Sequence, residues 1–360
     1  MAYTDIDDPS VYFQTTLYTG NGTAIGSGGN AITNSGNSSL QPDMVWIKNR
    51  VDTDSHSITD SVRGVTKYVL PDSNSQADSD ANALAVFGSN GFTVGSNNTF
   101  NGDTHAFVSW NWKAGTSFSN SAGANGANLA TTAGSVNTDA GFSILKWNSN
   151  SMAGEGLLAH GLGVVPSVIM IKSTSADDDW YVYHKDIGAT KYVRLNQTAS
   201  ETTASWLENK TPTSALISLD NGFWGTSSID YIAYCFAEKK GYSKFGSYTG
   251  NGNADGTFVY TGFKPAFVMI KATSTAKDWK IIDNKRNPSG LGGANPVRYR
   301  LAANTTATTS DDGDGQDFTS QGFKFKTTDS HMNGSGTTYI YMAFAENPFV
   351  TSTGVPATAR

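Results

Sequence analysis

The residues that could do chemistry are few and scattered. The chain of 360 residues holds five glutamates, Glu155, Glu201, Glu208, Glu238 and Glu346, whereas cleaving a glycosidic bond takes two carboxylates flanking it. None belongs to a Glu-x-Asp-x-Glu strand motif. Glu238 and Glu346 fall at equivalent places in two related segments, which suits a repeated structural role better than catalysis. The five histidines, His56, His105, His160, His184 and His331, are dispersed, and no Gly-x-Ser-x-Gly elbow surrounds a serine, so a catalytic triad has no support. His160, in a glycine-rich turn, suits structural hydrogen bonding better than ligation. Cys235 is the single cysteine. It lies in an apolar run, which makes it an inert buried thiol and excludes any disulfide within the chain.

Binding chemistry has more candidates. The run from Asp311 to Asp317 places Asp312, Asp314 and Asp317 among glycines, so their oxygens could converge on a hard cation such as Ca²⁺. It lacks the terminal glutamate of an EF-hand loop, and the competing reading is an exposed acidic turn, as it is for Asp177 to Asp179. For sugars, the usual device is an aromatic ring under a pyranose with polar groups taking the hydroxyls. Trp180 and Trp279 each follow an aspartate, eight residues after Lys172 and Lys271, and His56 holds that place after Lys48. A position aromatic in two copies favours packing over binding. Trp147, Trp206 and Trp224 have no aromatic counterparts and are the freer ligand-binding candidates.

These side chains hang on a repeat. Gln41-Pro-Asp-Met-Val-Trp-Ile-Lys48, Val165-Pro-Ser-Val-Ile-Met-Ile-Lys172 and Lys264-Pro-Ala-Phe-Val-Met-Ile-Lys271 share one pattern: a proline that cannot donate to a ladder, an apolar run, then a lysine. It predicts three equivalent strands buried on both faces, with Trp46, Met170 and Met269 inward. Each is followed by a Gly-Phe turn signal, Asn90-Gly91, Asn221-Gly222 or Gln321-Gly322, that predicts a hairpin. Each copy ends on an alternating strand in which Val108, Trp110 and Trp112 match Ile232, Tyr234 and Phe236, and then Ile340, Met342 and Phe344. With 38 glycines, 16% charged residues and no helical periodicity, the fold class is all-β: three tandem, related antiparallel β-sandwich domains of jelly-roll, lectin-like type. The expected divisions are 1–115, 141–240 and 241–350, with a flexible linker rich in Gly, Ser, Asn and Ala at 116–140 and a polar tail at 351–360. The second and third domains are expected to pack rigidly and the first to swing.

A formal net charge of −6 argues against nucleic acid as a partner. No apolar run approaches the ~20 residues of a membrane span, and the acidic start, Met1 to Pro9, has no signal-peptide character. Synthesis in a cytoplasm is expected.

Long motifs carry a family resemblance. Trp46-Ile-Lys-Asn-Arg50, Asp60-Ser-Val-Arg-Gly64, Trp110-Asn-Trp-Lys-Ala-Gly115, Trp180-Tyr-Val-Tyr-His-Lys185, the stretch Gly241 to Gly252 and Ala343-Phe-Ala-Glu-Asn-Pro-Phe349 resemble repeat proteins predicted in the virions of tailed bacteriophages, notably marine ones. The resemblance covers nearly the whole chain and brings no functional residues with it. It implies a non-enzymatic component of the virion exterior, synthesised in the host bacterium, with concanavalin-like sandwich domains. Its expected partners are other virion proteins, further copies of itself in a homo-oligomer, and host cell-surface glycans reached through a tail fibre, tail tip or appendage. The alternatives are an architectural decoration, head appendage or connector, and a polysaccharide hydrolase.

Overall fold

A computed structural model describes residues 4–149, 152, 154–224, 227–287 and 295–356, apart from the side chains of Asp312 and Asp314. The fold is all-β, and every named strand pair is antiparallel. Each copy builds the same four strands in the same order. A leading strand (Phe13–Thr19, Phe142–Asn148, Ser243–Thr249) pairs with the closing strand (Ala106–Trp112, Asp230–Phe236, Thr338–Pro348). That strand pairs with the lysine strand (Met44–Asn49, Val168–Ser173, Phe263–Ala272), which pairs with a return strand (Ser57–Asp60, Tyr181–His184, Lys280–Asp283). The register is conserved: Trp46 faces Trp110, Met170 faces Tyr234 and Met269 faces Met342.

Every residue of the three lysine strands is buried, because alternate side chains enter two different cores. Met44, Trp46, Val168, Met170, Phe267 and Met269 enter one core shared by all three copies. Their neighbours enter separate cores: Val45 and Ile47 in the first copy, Ile169 and Ile171 in the second, Val268 and Ile270 in the third. Each copy is therefore a sandwich-like lobe with its own outer core, and its inner face is closed only by the other two. The shared core is dense in aromatic rings: Trp112 lies against Phe236, Phe267 and Phe344, with centroids at 6.3, 5.8 and 5.6 Å.

Two expectations about domain organisation change here. The first copy is not free to swing, since Phe13, Trp110 and Trp112 sit in the shared core. Residues 116–140 are not a free linker: Thr116–Asn120 and Thr131–Asn137 form a hairpin that extends the leading strand of the second copy. Polar composition suggested a coil, but backbone donors pair in a ladder whatever the side chains. Leu129 and Val136 then anchor the hairpin in the outer core of the second copy. The Asn221-Gly222 hairpin is also absent. Residues Asn221–Trp224 form a helical turn, because Asp220 Oδ1 accepts the Phe223 N–H at 2.8 Å and seats the chain as a helix cap does. In the tail, Ser352 N–H donates to Asp7 at 2.6 Å, tying the two ends of the chain together.

The three copies close into a ring through a repeated clip. The loop after each return strand reaches onto the next copy. Trp180 Nε1–H donates to Leu70 O at 2.8 Å, and Trp279 Nε1–H donates to Arg194 O at 2.8 Å. His56 Nδ1 accepts from Trp46 Nε1, so the other ring nitrogen carries the proton and donates to Ala302 O at 3.0 Å. A backbone bond repeats beside each clip: Ala77 N to Thr174 O, Glu201 N to Thr273 O and Thr309 N to Arg50 O. A third contact lies deeper. Tyr234 O–H donates to Asp60 at 2.7 Å, His184 Nε2 lies 3.2 Å from Tyr341 O, and Trp110 Nε1–H donates to Asp283 at 3.1 Å. Asp60, His184 and Asp283 occupy one ladder position.

Candidate functional site

The lysine ending each central strand is structural. Lys48 Nζ donates to Asn49 O and Asp52 O, Lys172 Nζ to Asn74 O and Asp178 O, and Lys271 Nζ to Thr198 O, Ala272 O and Lys277 O. Burial pulls all three down to about 8. Lys172 and Lys271 bind the loop of the preceding copy and so reinforce two of the three clips. Cys235 is fully buried, and burial pushes its thiol up to about 12.

The tryptophans offered for sugar stacking are all inside. Trp147, Trp180, Trp206, Trp224 and Trp279 are each 2% exposed or less, so no ring face is open to a pyranose. Trp180 and Trp279 form the clips. Trp206 and Trp224 belong to an aromatic plug with Tyr181, Tyr192 and Phe223, where Tyr181 lies 4.9 Å from Phe223 and Tyr192 lies 5.5 Å from Trp206. Trp147 stacks on Tyr231 at 5.2 Å. Lacking an aromatic counterpart in the other copies reflected the private core of the second lobe.

Of the aspartates offered as cation ligands, the side chains of Asp312 and Asp314 lie outside the described residues. Asp317 faces Lys326 Nζ at 3.8 Å, and the run forms part of strand Ser310–Thr319 rather than a free turn. Asp179 is held by Arg194 at 2.8 Å and by Asn196 and Gln197. Among the described residues, ligand atoms gather instead at Asp52, Asp54 and His105, within 4.8 Å of one another. Asn49 Nδ2 already lies 2.7 Å from Asp54 and 2.9 Å from His105 Nδ1.

A cleft that gathers ionisable side chains from distant parts of the chain escapes motif reasoning. In the third lobe, the start of the return strand, the next strand Val297–Leu301, the clip loop 302–310 and the loop 327–331 enclose an open cleft of about 660 Å³. Its chemistry comes from Asp278, Lys280, Arg300, Asp329 and His331, with threonine hydroxyls on the rim. His331 bridges the carboxylates, with Nδ1 3.0 Å from Asp329 and Nε2 3.4 Å from Asp278. Arg300, 1% exposed, reaches Asp329 at 2.9 Å, and Lys280 lies 3.6 Å from Asp278. Burial alone would raise the Asp329 carboxyl. Hydrogen bonds from His331, with the charges of His331 and Arg300, override that and pull it down to about 2. The loop is preshaped, since Asp329 also accepts the His331 backbone N–H, and the Asp329 carbonyl accepts from Met332 and Asn333.

The register shows why this lobe is open. Val182 and Ile281 face Met170 and Met269, and in turn pair with Val193 and Leu301. Lys280 therefore stands where the second copy has Tyr181, and Arg300 where it has Tyr192. Two rings of the plug are replaced by two cations. That signal was present in the sequence, nine residues after Lys172 and Lys271, but only the ladder pairing assigns Arg300 its counterpart.

A family model described as a domain of unknown function, DUF7483, matches residues 8–348 as one unit. Neither a curated protein nor a solved structure matches the chain. Among the described residues, no helix is long and apolar enough to cross a membrane.

Proposed function

The chain belongs to the DUF7483 family over residues 8–348, and we propose that it is a non-enzymatic structural protein of a bacteriophage virion, displayed on a tail fibre, tail tip or appendage, where it attaches to host surface glycans. One observation carries this: three copies spend their inner faces on a single shared core, while their outer lobes diverge, one sealed by aromatic rings and one open as a cleft lined by ionisable side chains. A rigid scaffold that varies only at its periphery suits display, because precise binding groups need supporting elements that do not move. The sequence motifs, which resemble those of phage virion proteins, supply the particle. Other virion proteins and further copies of the chain are the expected neighbours, and closed symmetry the expected assembly.

Two measurements test it. Electron microscopy of the intact particle should place the chain on its exterior at a host-facing position, and purified protein should compete with the phage for adsorption. A position buried between head proteins, with no competition, would favour the purely architectural role.

A further inference from the structure

From the pairing of charges in the third-lobe cleft, we infer that it is a binding site for a neutral oligosaccharide. This inference rests on the glycan-attachment reading and names the site and the ligand class. A volume of about 660 Å³ lies within the ~300–1,000 Å³ of small-molecule sites. Ionisable side chains line it in pairs, Arg300 with Asp329 at 2.9 Å and Lys280 with Asp278 at 3.6 Å, and the His331 ring reaches both carboxylates. A charged ligand would have to separate one of these pairs, at the cost of leaving a half-buried charge without its partner. A neutral polyol meets no such cost. A sugar hydroxyl both donates and accepts, so it can donate a hydrogen bond to Asp278 or Asp329 and accept one from Lys280 or Arg300 with the pairs intact.

Divergence between copies supports the same conclusion independently. At the positions of Lys280 and Arg300 the second copy carries tyrosines that help fill its lobe, with Tyr181 and Tyr192 at 5.2 Å. The first copy has Ser57 and Tyr68 there, the latter packed 5.2 Å from Phe100. Scaffolding alone favours the packed solution, since filling a core with rings contributes more than a half-buried ion pair whose desolvation offsets its attraction. The third copy has given up that packing for an open, preshaped set of donors and acceptors. With no Phe, Tyr or Trp among the described residues that line the cleft, stacking on a large ring contributes nothing, and single-site affinity falls in the ~millimolar range that a multivalent particle converts to avidity.

The test titrates the full-length chain by NMR or calorimetry with neutral oligomers of glucose, mannose and N-acetylglucosamine, and with oligogalacturonate as the acidic comparison. Two variants address the cleft by different routes. Asp278→Asn removes a charged acceptor, and Thr328→Trp, at an exposed rim position, obstructs the space without touching the ion pairs. Binding of a neutral oligomer that weakens at least about tenfold in both variants, with an unchanged melting temperature in Thr328→Trp, supports the inference. Neutral binding unchanged in both would overturn the site while leaving glycan attachment standing. Preference for oligogalacturonate by tenfold or more would overturn the ligand class. Wild-type protein that binds no saccharide at all, although located on the particle exterior, would overturn both.

Discussion

The second and third lobes solve the same geometric problem in opposite ways. Outside the return strand the second lobe packs Tyr181, Tyr192, Trp206, Phe223 and Trp224 into a plug. The third lobe sets Lys280 and Arg300 at the two tyrosine positions and leaves a cleft. On the inner face no such freedom exists: Met170 and Met269, Phe236 and Phe344 fill matched places in one core. The contrast teaches that the ring is held by what the copies share, and that the outer lobe can be packed or open with the clips in place.

Truncating the plug should be the most damaging way to probe that contrast. Trp206→Ala removes a fully buried ring and is expected to cost about 3–5 kcal/mol in denaturant unfolding. Next comes acid, which acts on the seams between copies. Burial holds His184 down at about 4, against an ordinary value of 6.5, so the folded protein keeps it neutral while the unfolded chain takes up a proton. As pH falls from 6.5 to 4 the unfolded state binds more protons, and stability should drop by at most about 3 kcal/mol. His56, held down in the same direction by burial, adds to the loss. Melting temperature against pH should be flatter in His184→Gln, and an unchanged profile would remove His184 from the account. Smaller again is Tyr234→Phe, which takes from Asp60 a hydroxyl donor at 2.7 Å while Arg63 stays at 2.6 Å; about 1–3 kcal/mol is expected. Thr308→Ala, on the cleft wall, should fall within about 0.5 kcal/mol. A cost there as large as that of Trp206→Ala would mean that the cleft is scaffold after all.

The sequence made the inner face readable because that face is repetitive. Three Pro-to-Lys strands and the alternation Val108, Trp110, Trp112 identified strands, the correspondence between copies and the buried set, including Trp46, Met170 and Met269. Closure was hidden, because a period of ~100 residues fits beads on a string as well as a ring, and nothing local distinguishes Trp180 packing in its own domain from Trp180 donating to Leu70 O of another. The hairpin at 116–137 was hidden for a related reason: its stability lies in backbone pairing, which composition does not register. The cleft was missed because its members, Asp278, Arg300 and His331, are far apart in the chain and resemble ordinary surface charges until Arg300 is seen buried. Part of the stretch from Val51 to Gly88 is a clip onto the second copy, a contact that no local pattern announces.

Differential scanning calorimetry of the full-length chain tests the central claim, that three copies share one core and close on themselves. A single transition, with calorimetric and van't Hoff enthalpies in agreement, is predicted, and Trp180→Phe, which deletes the clip to Leu70, should lower its midpoint without splitting it. Two or three resolved transitions in the wild-type protein, above all an early one belonging to the first copy, would contradict the closed ring and restore independent domains.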